Sequence, residues 1–416
     1  MTNAPGTPAL LFRLRPTGPW RIAGDSGRQD DLSPIFPSDR VFSAVVQALA
    51  PSGERDAFLA ATAGAASPAV RFSSLFPFYG KQLYAPPPVT LWPPERASSK
   101  VNWQAAKLVP LSVLDELLAG EALREDRWEV DGLSGCLLPA GSQTPFRQQL
   151  RYTAPVDRLN GSSAAAYATG CWEFNQGVGL WGLILFEDEN ELWRWEKPLQ
   201  AALRWLADEG LGGERSRGWG KSAPPEFQSG HWPQLVLSHA APVAASAAAT
   251  PENLQGYWLL SQYVPAASDT VELDKGFYRL AERRGRVESP TAWGAEKLAL
   301  RMVAEGGVLV AASEPHGRAV DVAPPGFAHP VWRAGFAVAC PVPWKAPSFQ
   351  LPPALLRAEV PPRASEPEAL IALPDIYLED PIIVEEANTV EEANVVEEAN
   401  IVEQPRYVDL EAEDAQ

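Results

Sequence analysis

The sequence is poor in the residues that build disulfide frameworks, metal sites and acid–base catalytic centres. Its 416 residues include three cysteines and four histidines, and all four histidines follow residue 230. The cysteines, Cys136, Cys171 and Cys340, lack the spacing of metal ligands, so we expect neither disulfide bonds nor a metal site, nor any cofactor. This cysteine usage is typical of a reducing cytoplasm, where we expect the protein to be located.

Long apolar runs are also missing. No run approaches the ~20 residues of a membrane-spanning helix, and the start of the chain lacks the charged and apolar regions of a signal peptide. We therefore expect no membrane partner. The apolar fraction of 46% is nevertheless sufficient for large cores. The length predicts two or three domains of ~100–200 residues each.

The net charge of −17 is unevenly distributed. Residues 375–416 hold 14 acidic residues and one basic residue, so this segment carries −13 and the preceding 374 residues carry −4. Within it, Val-Glu-Glu-Ala-Asn recurs at 384–388, 390–394 and 396–400. Dense charge with few aromatic residues predicts a disordered acidic tail. The remaining, nearly neutral body could bind RNA through a local basic loop.

Periodicity along the body predicts an α+β fold. Alternation predicts a strand over Leu10–Arg15, and Ser38 and Asp39 cap a predicted helix over Arg40–Ala50. This order is the opening of a β-α-β-β-α-β, ferredoxin-like unit. The other predicted strands of the first half are 71–79, 82–85, 146–154, 171–174 and 179–186, and the predicted helices are 110–119 and 191–207.

Composition divides the chain into four segments. Residues 1–228 form a first domain, and residues 229–252, rich in Ala, Pro and Ser, read as a linker. Residues 253–345 are strand-rich and predict a second α+β domain. Residues 346–416, first proline-rich and then acidic, form the predicted tail.

The densest group of candidate binding residues is Gly210–Lys221, which contains five glycines and three cations. Glycines allow a ligand to approach backbone N–H groups, Arg and Lys suit phosphate, and Trp219 offers a flat face to a base. The loop is not a Walker loop, because Arg215 stands where that motif needs its first glycine. We predict that it binds single-stranded nucleic acid through these residues: Gly212, Gly213, Arg215, Ser216, Arg217, Gly218, Trp219 and Lys221.

Four further candidates lie outside this loop. Ser38 and Arg40 are at a helix N-terminus, which favours an anion, although ordinary capping explains them equally well. Arg151 and Arg158 flank a turn, where Arg158 could instead form a structural ion pair with its neighbour Asp157. Three tryptophans, Trp103, Trp181 and Trp193, are predicted to lie in the core.

Four motifs carry a resemblance to a known family, and they occur in its order. Ser38–Ala44 resembles its Ser-Asp-x-Leu-Phe/Tyr-Ser-Ala, and Ser73–Phe78 with Leu83–Pro87 is similar to its Ser-Ser-x-Phe-Pro hairpin. Asp157–Gly161 is similar to an Asp-Arg-x-Thr-Gly turn, with Asn160 in place of threonine. Gly210–Lys221 resembles Gly-x-Gly-Gly-x-Arg-Ser-x-Gly-x-Gly. Over about residues 9–345, the chain thus resembles the RAMP superfamily of CRISPR type III effector complexes, and within it the Csm-type (type III-A) subunit.

The resemblance implies a fold, partners and a function. It implies two ferredoxin-like (RRM-like) RAMP units with a glycine-rich loop, and a subunit that holds the repeat-derived 5′ tag of crRNA. Its implied protein partners are the large signature subunit and the backbone RAMP subunits. Members of this kind are not enzymes, so we expect no catalytic residues.

Three alternatives remain open from the sequence. The chain could be the related Cmr-type (III-B) cap subunit. It could be a RAMP endoribonuclease that processes the crRNA precursor, although the lack of histidine before residue 230 argues against this. It could be a scaffold without nucleic-acid contact, which the cationic glycine-rich loop argues against.

Overall fold

The computed structural model describes residues 6–24, 28–94, 102–154, 167–240, 254–289 and 292–344. The helices of this part are α1 Ser38–Ala48, α2 Arg55–Ala61, α3 Leu111–Leu118 and α4 Glu189–Glu209. Its strands up to residue 232 are β1 Thr7–Leu14, β2 Val70–Phe72, β3 Phe76–Tyr79, β4 Gln82–Ala85, β5 Val109–Pro110, β6 Trp128–Val130, β7 Leu137–Pro139, β8 Phe146–Thr153, β9 Tyr167–Phe174, β10 Val178–Phe186 and β11 Glu226–Trp232. The strands that follow are β12 Gln255–Leu259, β13 Leu280–Arg283, β14 Arg286–Ser289, β15 Ala292–Glu296, β16 Leu300–Val303, β17 Val308–Ala311, β18 Gly317–Asp321, β19 Trp332–Phe336 and β20 Ala339–Val342.

A seven-stranded antiparallel sheet organises the first part of the chain. Its strand order is β11–β1–β10–β3–β4–β5, and β2 also pairs with β10. Strand β1 lies between β10 and β11, with Ala9 opposite Leu185 on one side and Gly230 on the other. A three-stranded sheet, β17–β12–β20, follows in the second part, and the other strands form two-stranded pairs. The mixed α/β class with antiparallel sheets agrees with the α+β prediction.

Both faces of the seven-stranded sheet are covered, because β1 and β10 carry apolar residues on both sides. Leu10 and Phe12 pack with helices α1 and α4, whereas Leu11 and Trp181 pack with α3 and the three-stranded sheet. Strand β10 is buried along its whole length. The described residues therefore share continuous cores, and all of them lie in one compact unit, Met1–Leu356.

Buried polar contacts join the first part of the chain to the second. The carboxylate of Asp39 accepts from Arg283 at 3.0 Å and also from Arg333, and all three side chains are less than a tenth exposed. Arg71 pairs with Glu314 at 3.0 Å. A buried charge needs such partners, because desolvation without them is costly.

Helix α1 begins at Ser38, two residues earlier than predicted. Asp39 is in its first turn and Pro37 is its N-cap.

Helix α4 differs from the prediction in two respects. It continues through Pro198 as one helix, so the restart that the sequence offered as an alternative to a kink does not occur. Its inward stripe begins at Trp195, which is 2% exposed, and continues through Leu199, Leu203 and Leu206, so packing on the sheet outweighs the proline. Trp193 is 87% exposed, and its prediction as a core residue is wrong. Trp103 and Trp181 are buried as predicted.

Strand β11 includes the first residues of the predicted linker. It runs over Glu226–Trp232 and forms the edge of the large sheet beside β1. Its burial is irregular and no alternating apolar pattern marks it, which is why the sequence did not indicate a strand there. Residues 241–252 of the linker lie outside the described residues, and so do the turn at 157–161 and the whole predicted tail. No helix of the described residues is long and apolar enough to cross a membrane.

Candidate nucleic-acid interface

The glycine-rich loop follows the C-terminus of α4 and folds back on itself. Gly210, which ends the helix, has φ +97°, and a Cβ there would lie 2.5 Å from the Trp219 carbonyl oxygen. Gly220 has φ +80°, and its Cβ would lie 2.1 Å from the Leu211 oxygen. Side chains do not fit at either position, so these glycines let the two ends of the loop touch.

The loop also packs against the segment that follows β1. The Gly213 N–H donates to the Arg21 carbonyl at 2.9 Å, and the Gly220 N–H donates to that of Pro19 at 2.9 Å. The Trp20 indole N–H in turn donates to the Lys221 carbonyl at 3.1 Å. We expected the glycines to present N–H groups to a ligand. Those of Gly213 and Gly220 instead fix the backbone of the loop.

The fixed backbone displays a short cationic turn. Arg215–Arg217 forms one turn of 3-10 helix between Glu214 at φ 63° and Gly218 at φ 79°. The side chains of Arg215, Ser216 and Arg217 are exposed, as is that of Lys221, whereas Trp219 is partly buried. Two guanidiniums and an ammonium on a rigid loop are suited to hold phosphate groups.

Arg217 links this turn to the hairpin formed by β8 and β9. Its Nη1 donates to Thr153 Oγ1 at 3.2 Å, its Nη2 donates to the Tyr167 hydroxyl, and its Nε lies 3.2 Å from a carboxylate oxygen of Glu214. The Tyr167 hydrogen bond, and secondly the Glu214 charge, raise the pKa of Arg217. Thr153 and Tyr167 are cross-strand partners at the end of the hairpin where residues 154–166 connect the two strands. Arg158 lies between them in the chain, outside the described residues.

The face of β8 that carries Thr153 bears two more cations. Arg151 pairs with Glu173 of β9, and Arg147 lies 3.6 Å from the same carboxylate. Both arginine side chains are more than half exposed. The sequence pointed to Arg151 but not to Arg147 or Tyr167. The period of two in β8, which places residues 147, 149, 151 and 153 on one face, is a signal that could have found Arg147.

Ser38 and Arg40 both have hydrogen-bond partners within the protein. The Ser38 hydroxyl accepts from the Gln262 N–H at 2.9 Å, its own N–H donates to Ser74 Oγ, and the residue is 4% exposed. Contacts within the protein therefore account for Ser38. The Arg40 guanidinium donates to the Ala23 carbonyl at 2.8 Å, close in sequence to the segment that holds the glycine-rich loop.

The structure thus brings together one group of the predicted residues. Loop residues 212–221 and Arg151 share one region through the Arg217 contacts, whereas Ser38 is buried against the second part of the chain. Among the described residues, no group of three or more His, Cys, Asp or Glu side chains could hold a metal ion.

The comparisons with known proteins agree with this architecture. Residues 252–342 match the family model described as the CRISPR Csm4 C-terminal domain. A chain of the Csm3–Csm4 subcomplex of a type III-A CRISPR-Cas interference complex has a similar fold, with TM-score 0.53 and 17% identity over 80% of this chain and 99% of that one. A chain of a Csm1–Csm4 cassette bound to cA4 matches with TM-score 0.46 and 17% identity, over 81% of this chain and 99% of that one.

No curated protein sequence matches the chain. The family model covers residues that contain none of the four motifs. Together with the Csm3–Csm4 likeness, it confirms the resemblance to a Csm4-like RAMP protein.

Proposed function

We propose that this Csm4-like chain is the non-catalytic crRNA-binding subunit of a type III-A effector complex. It holds the repeat-derived 5′ tag of crRNA and docks the large signature subunit onto the backbone RAMP subunits. The observation that carries the proposal is the cationic glycine-rich loop, fixed against residues 19–21 and tied by Arg217 to the β8–β9 hairpin, in a chain whose residues 252–342 match the Csm4 C-terminal domain.

The strand order supports a ferredoxin-like RAMP unit in the first part of the chain. The four strands β1, β3, β10 and β11 have the spatial order β11–β1–β10–β3 and run antiparallel. Helix α1 follows the first of these strands and α4 follows β10, which is the β-α-β-β-α-β sequence of that fold. The glycine-rich loop then connects α4 to the last strand, at one end of the sheet.

The charges of the site support a single RNA strand as its ligand. Arg147 and Arg151 lie on the same face of the hairpin as Thr153, to which Arg217 of the loop donates, and the loop also exposes Arg215 and Lys221. Exposed cations of this kind suit a sugar–phosphate backbone, and the partly buried Trp219 offers a ring face to a base. The −4 charge of residues 1–374 allows this contact.

We also propose that the chain does not cut RNA. A metal-independent nuclease needs an acid–base group near the scissile phosphate, most often histidine. His231 is on β11, 3.5 Å from Glu189 at the start of α4. The glycine-rich loop follows the other end of this 21-residue helix, which at ~1.5 Å per residue lies about 30 Å away. The pair is thus remote from the candidate interface.

The RNA that co-purifies with the full-length chain tests both proposals. We expect RNAs with one common repeat-derived 5′ end. RNAs with random ends, or no RNA, would contradict the crRNA assignment. Labelled repeat RNA, incubated with the protein with and without Mg²⁺, should stay intact. Specific cleavage that a substitution in this chain abolishes would establish the endoribonuclease alternative.

A further inference from the structure

Helix α4 exposes two tryptophans on the side that faces away from the core. Trp193 is 87% exposed and Trp205 is 40% exposed, while Trp195 and Leu199 fill the inward face. Tryptophan is highly buried on average in folded proteins, so an almost fully exposed indole needs an explanation. Trp and Arg are also the residues that contribute most to protein interfaces.

Three cations accompany the two indoles. Arg194, Lys197 and Arg204 are exposed on the same helix. Within the described part of the chain, none of the three forms an ion pair with a carboxylate; the guanidinium of Arg204 lies 5.1 Å from the Phe227 ring and donates to Gln200. The charge of these cations is available to carboxylates of another molecule.

The shape of this face favours a protein over a nucleic acid. Trp193, Lys197, Ala201 and Trp205 are four residues apart and form one gently turning stripe. At ~1.5 Å per residue, the two tryptophans are about 18 Å apart along a convex helix, which has no groove for a sugar–phosphate backbone. A convex amphipathic stripe fits a concave protein surface instead.

We propose that this outer face of α4, formed by Trp193, Arg194, Lys197, Ala201, Arg204 and Trp205, docks an acidic protein subunit. The partner offers an apolar hollow for the Trp193 indole and carboxylates opposite Arg194 and Lys197. Trp193 is the anchor because it has the largest exposed apolar surface of the stripe. The inference concerns a surface separate from the RNA site, and it does not depend on the identity of the RNA.

Oxidation of the indoles by N-bromosuccinimide, read by mass spectrometry, tests the proposal. The full-length tagged chain is purified with its co-expressed native partners and compared with the free chain. We expect Trp193 to react at least about tenfold more slowly in the complex, which corresponds to about 1.4 kcal/mol of protection. This protection should persist after ribonuclease treatment. Equal reactivity would refute the proposal, and so would protection that disappears with the RNA or that appears in the free chain at higher concentration.

Variants separate docking from folding. Trp193→Ala combined with Lys197→Glu should release the partner, with at least tenfold less partner retained. The matched control combines Leu133→Ala, at a 68% exposed side chain, with Lys81→Glu, an exposed lysine on another surface. Both variants should keep the urea midpoint of the unmodified chain. Retention of the partner by the α4 variant would refute the proposal. Loss of a common RNA 5′ end with docking intact would refute the crRNA assignment alone.

Discussion

Arg217 has two roles at the residue scale, and they are separable by experiment. Its guanidinium ties the loop to Thr153 and Tyr167, and its charge faces the proposed RNA. Arg215 adjoins it on the same exposed turn. The first role requires the planar fork of arginine, whereas the second requires only a positive charge.

We expect Arg215→Ala with Arg217→Ala to reduce crRNA retention and its salt dependence. Removal of one phosphate interaction lowers the slope of log affinity against log salt by about 0.7 for a single strand, so removal of two lowers it by about 1.4. Filter binding of crRNA between about 50 and 300 mM salt measures this slope. Arg55→Ala, at an exposed arginine of α2, is the control. An unchanged slope would move the site elsewhere. Tyr167→Phe, which removes no charge, should weaken binding without changing the slope.

Glu305 should make stability depend on pH. Burial raises the pKa of its carboxyl, and the hydrogen bond from Ser74 offsets this only in part. A carboxyl with a raised folded-state pKa contributes most stability when protonated, below the unfolded value of about 4.3, and loses that contribution as the pH rises through the folded pKa. Glutamine does not ionise. We therefore expect Glu305→Gln to gain stability relative to the unmodified protein as the pH increases above about 4.3.

Urea unfolding at several pH values between about 4.5 and 8 measures this difference in stability, because the whole range lies above the free carboxyl pKa of about 4.3. Glu121→Gln, at an exposed glutamate, is the control for the substitution itself. A difference in stability between Glu305→Gln and the unmodified protein that stays constant with pH would contradict the prediction. It would show that the groups around the carboxylate, among them the Arg283 charge, offset the cost of its burial.

At the scale of elements, two glycines of the loop offer a matched comparison. Gly220 and Gly218 have nearly equal φ, +80° and +79°, so alanine is strained by about 1–3 kcal/mol at both. A Cβ at Gly220 would lie 2.1 Å from the Leu211 oxygen, whereas at Gly218 it would meet nothing within 4 Å. We expect Gly220→Ala to lower the unfolding free energy and crRNA retention clearly more than Gly218→Ala. Equal effects in urea unfolding and filter binding would mean that the loop ends need not touch.

These elements also show what the sequence could and could not predict. Local periodicity predicted β1, α1, α3, β10 and α4 to within a few residues, and the glycine-rich loop was recognised from composition alone. Contacts distant in sequence were not predictable in this way. Asp39 is buried because Arg283 and Arg333, about 240 and 290 residues later, reach it. Trp193 was predicted to face inward, although it lies six residues before Leu199, which is not a helical spacing. Trp195 lies four residues before Leu199 and takes the inward position instead, so the sequence itself held the signal that would have corrected this prediction.

At the scale of the whole molecule, the two parts of the chain depend on each other. The Trp258 indole of β12 donates to the Pro86 carbonyl at 3.0 Å, and the Trp232 indole of β11 donates to the Ala339 carbonyl at 2.8 Å. Trp258 and Trp232 belong to the same buried cluster. The glycine-rich loop of the first part therefore rests on a body that the second part completes, and variants at the contacts between them should affect both.

The last prediction concerns residues 375–416. They carry −13 of the net charge and repeat Val-Glu-Glu-Ala-Asn, a composition that cannot bury enough apolar surface to fold alone. We expect truncation after Pro374 to leave the thermal unfolding midpoint and complex assembly unchanged. Non-specific RNA binding should rise slightly, because the net charge changes from −17 to −4. Limited proteolysis distinguishes the alternative, in which the repeated valines dock on a basic surface of a partner subunit. Cleavage of the tail at the same rate in the free chain and in the complex supports our prediction, whereas protection on assembly, or failure of the truncated chain to assemble, would contradict it.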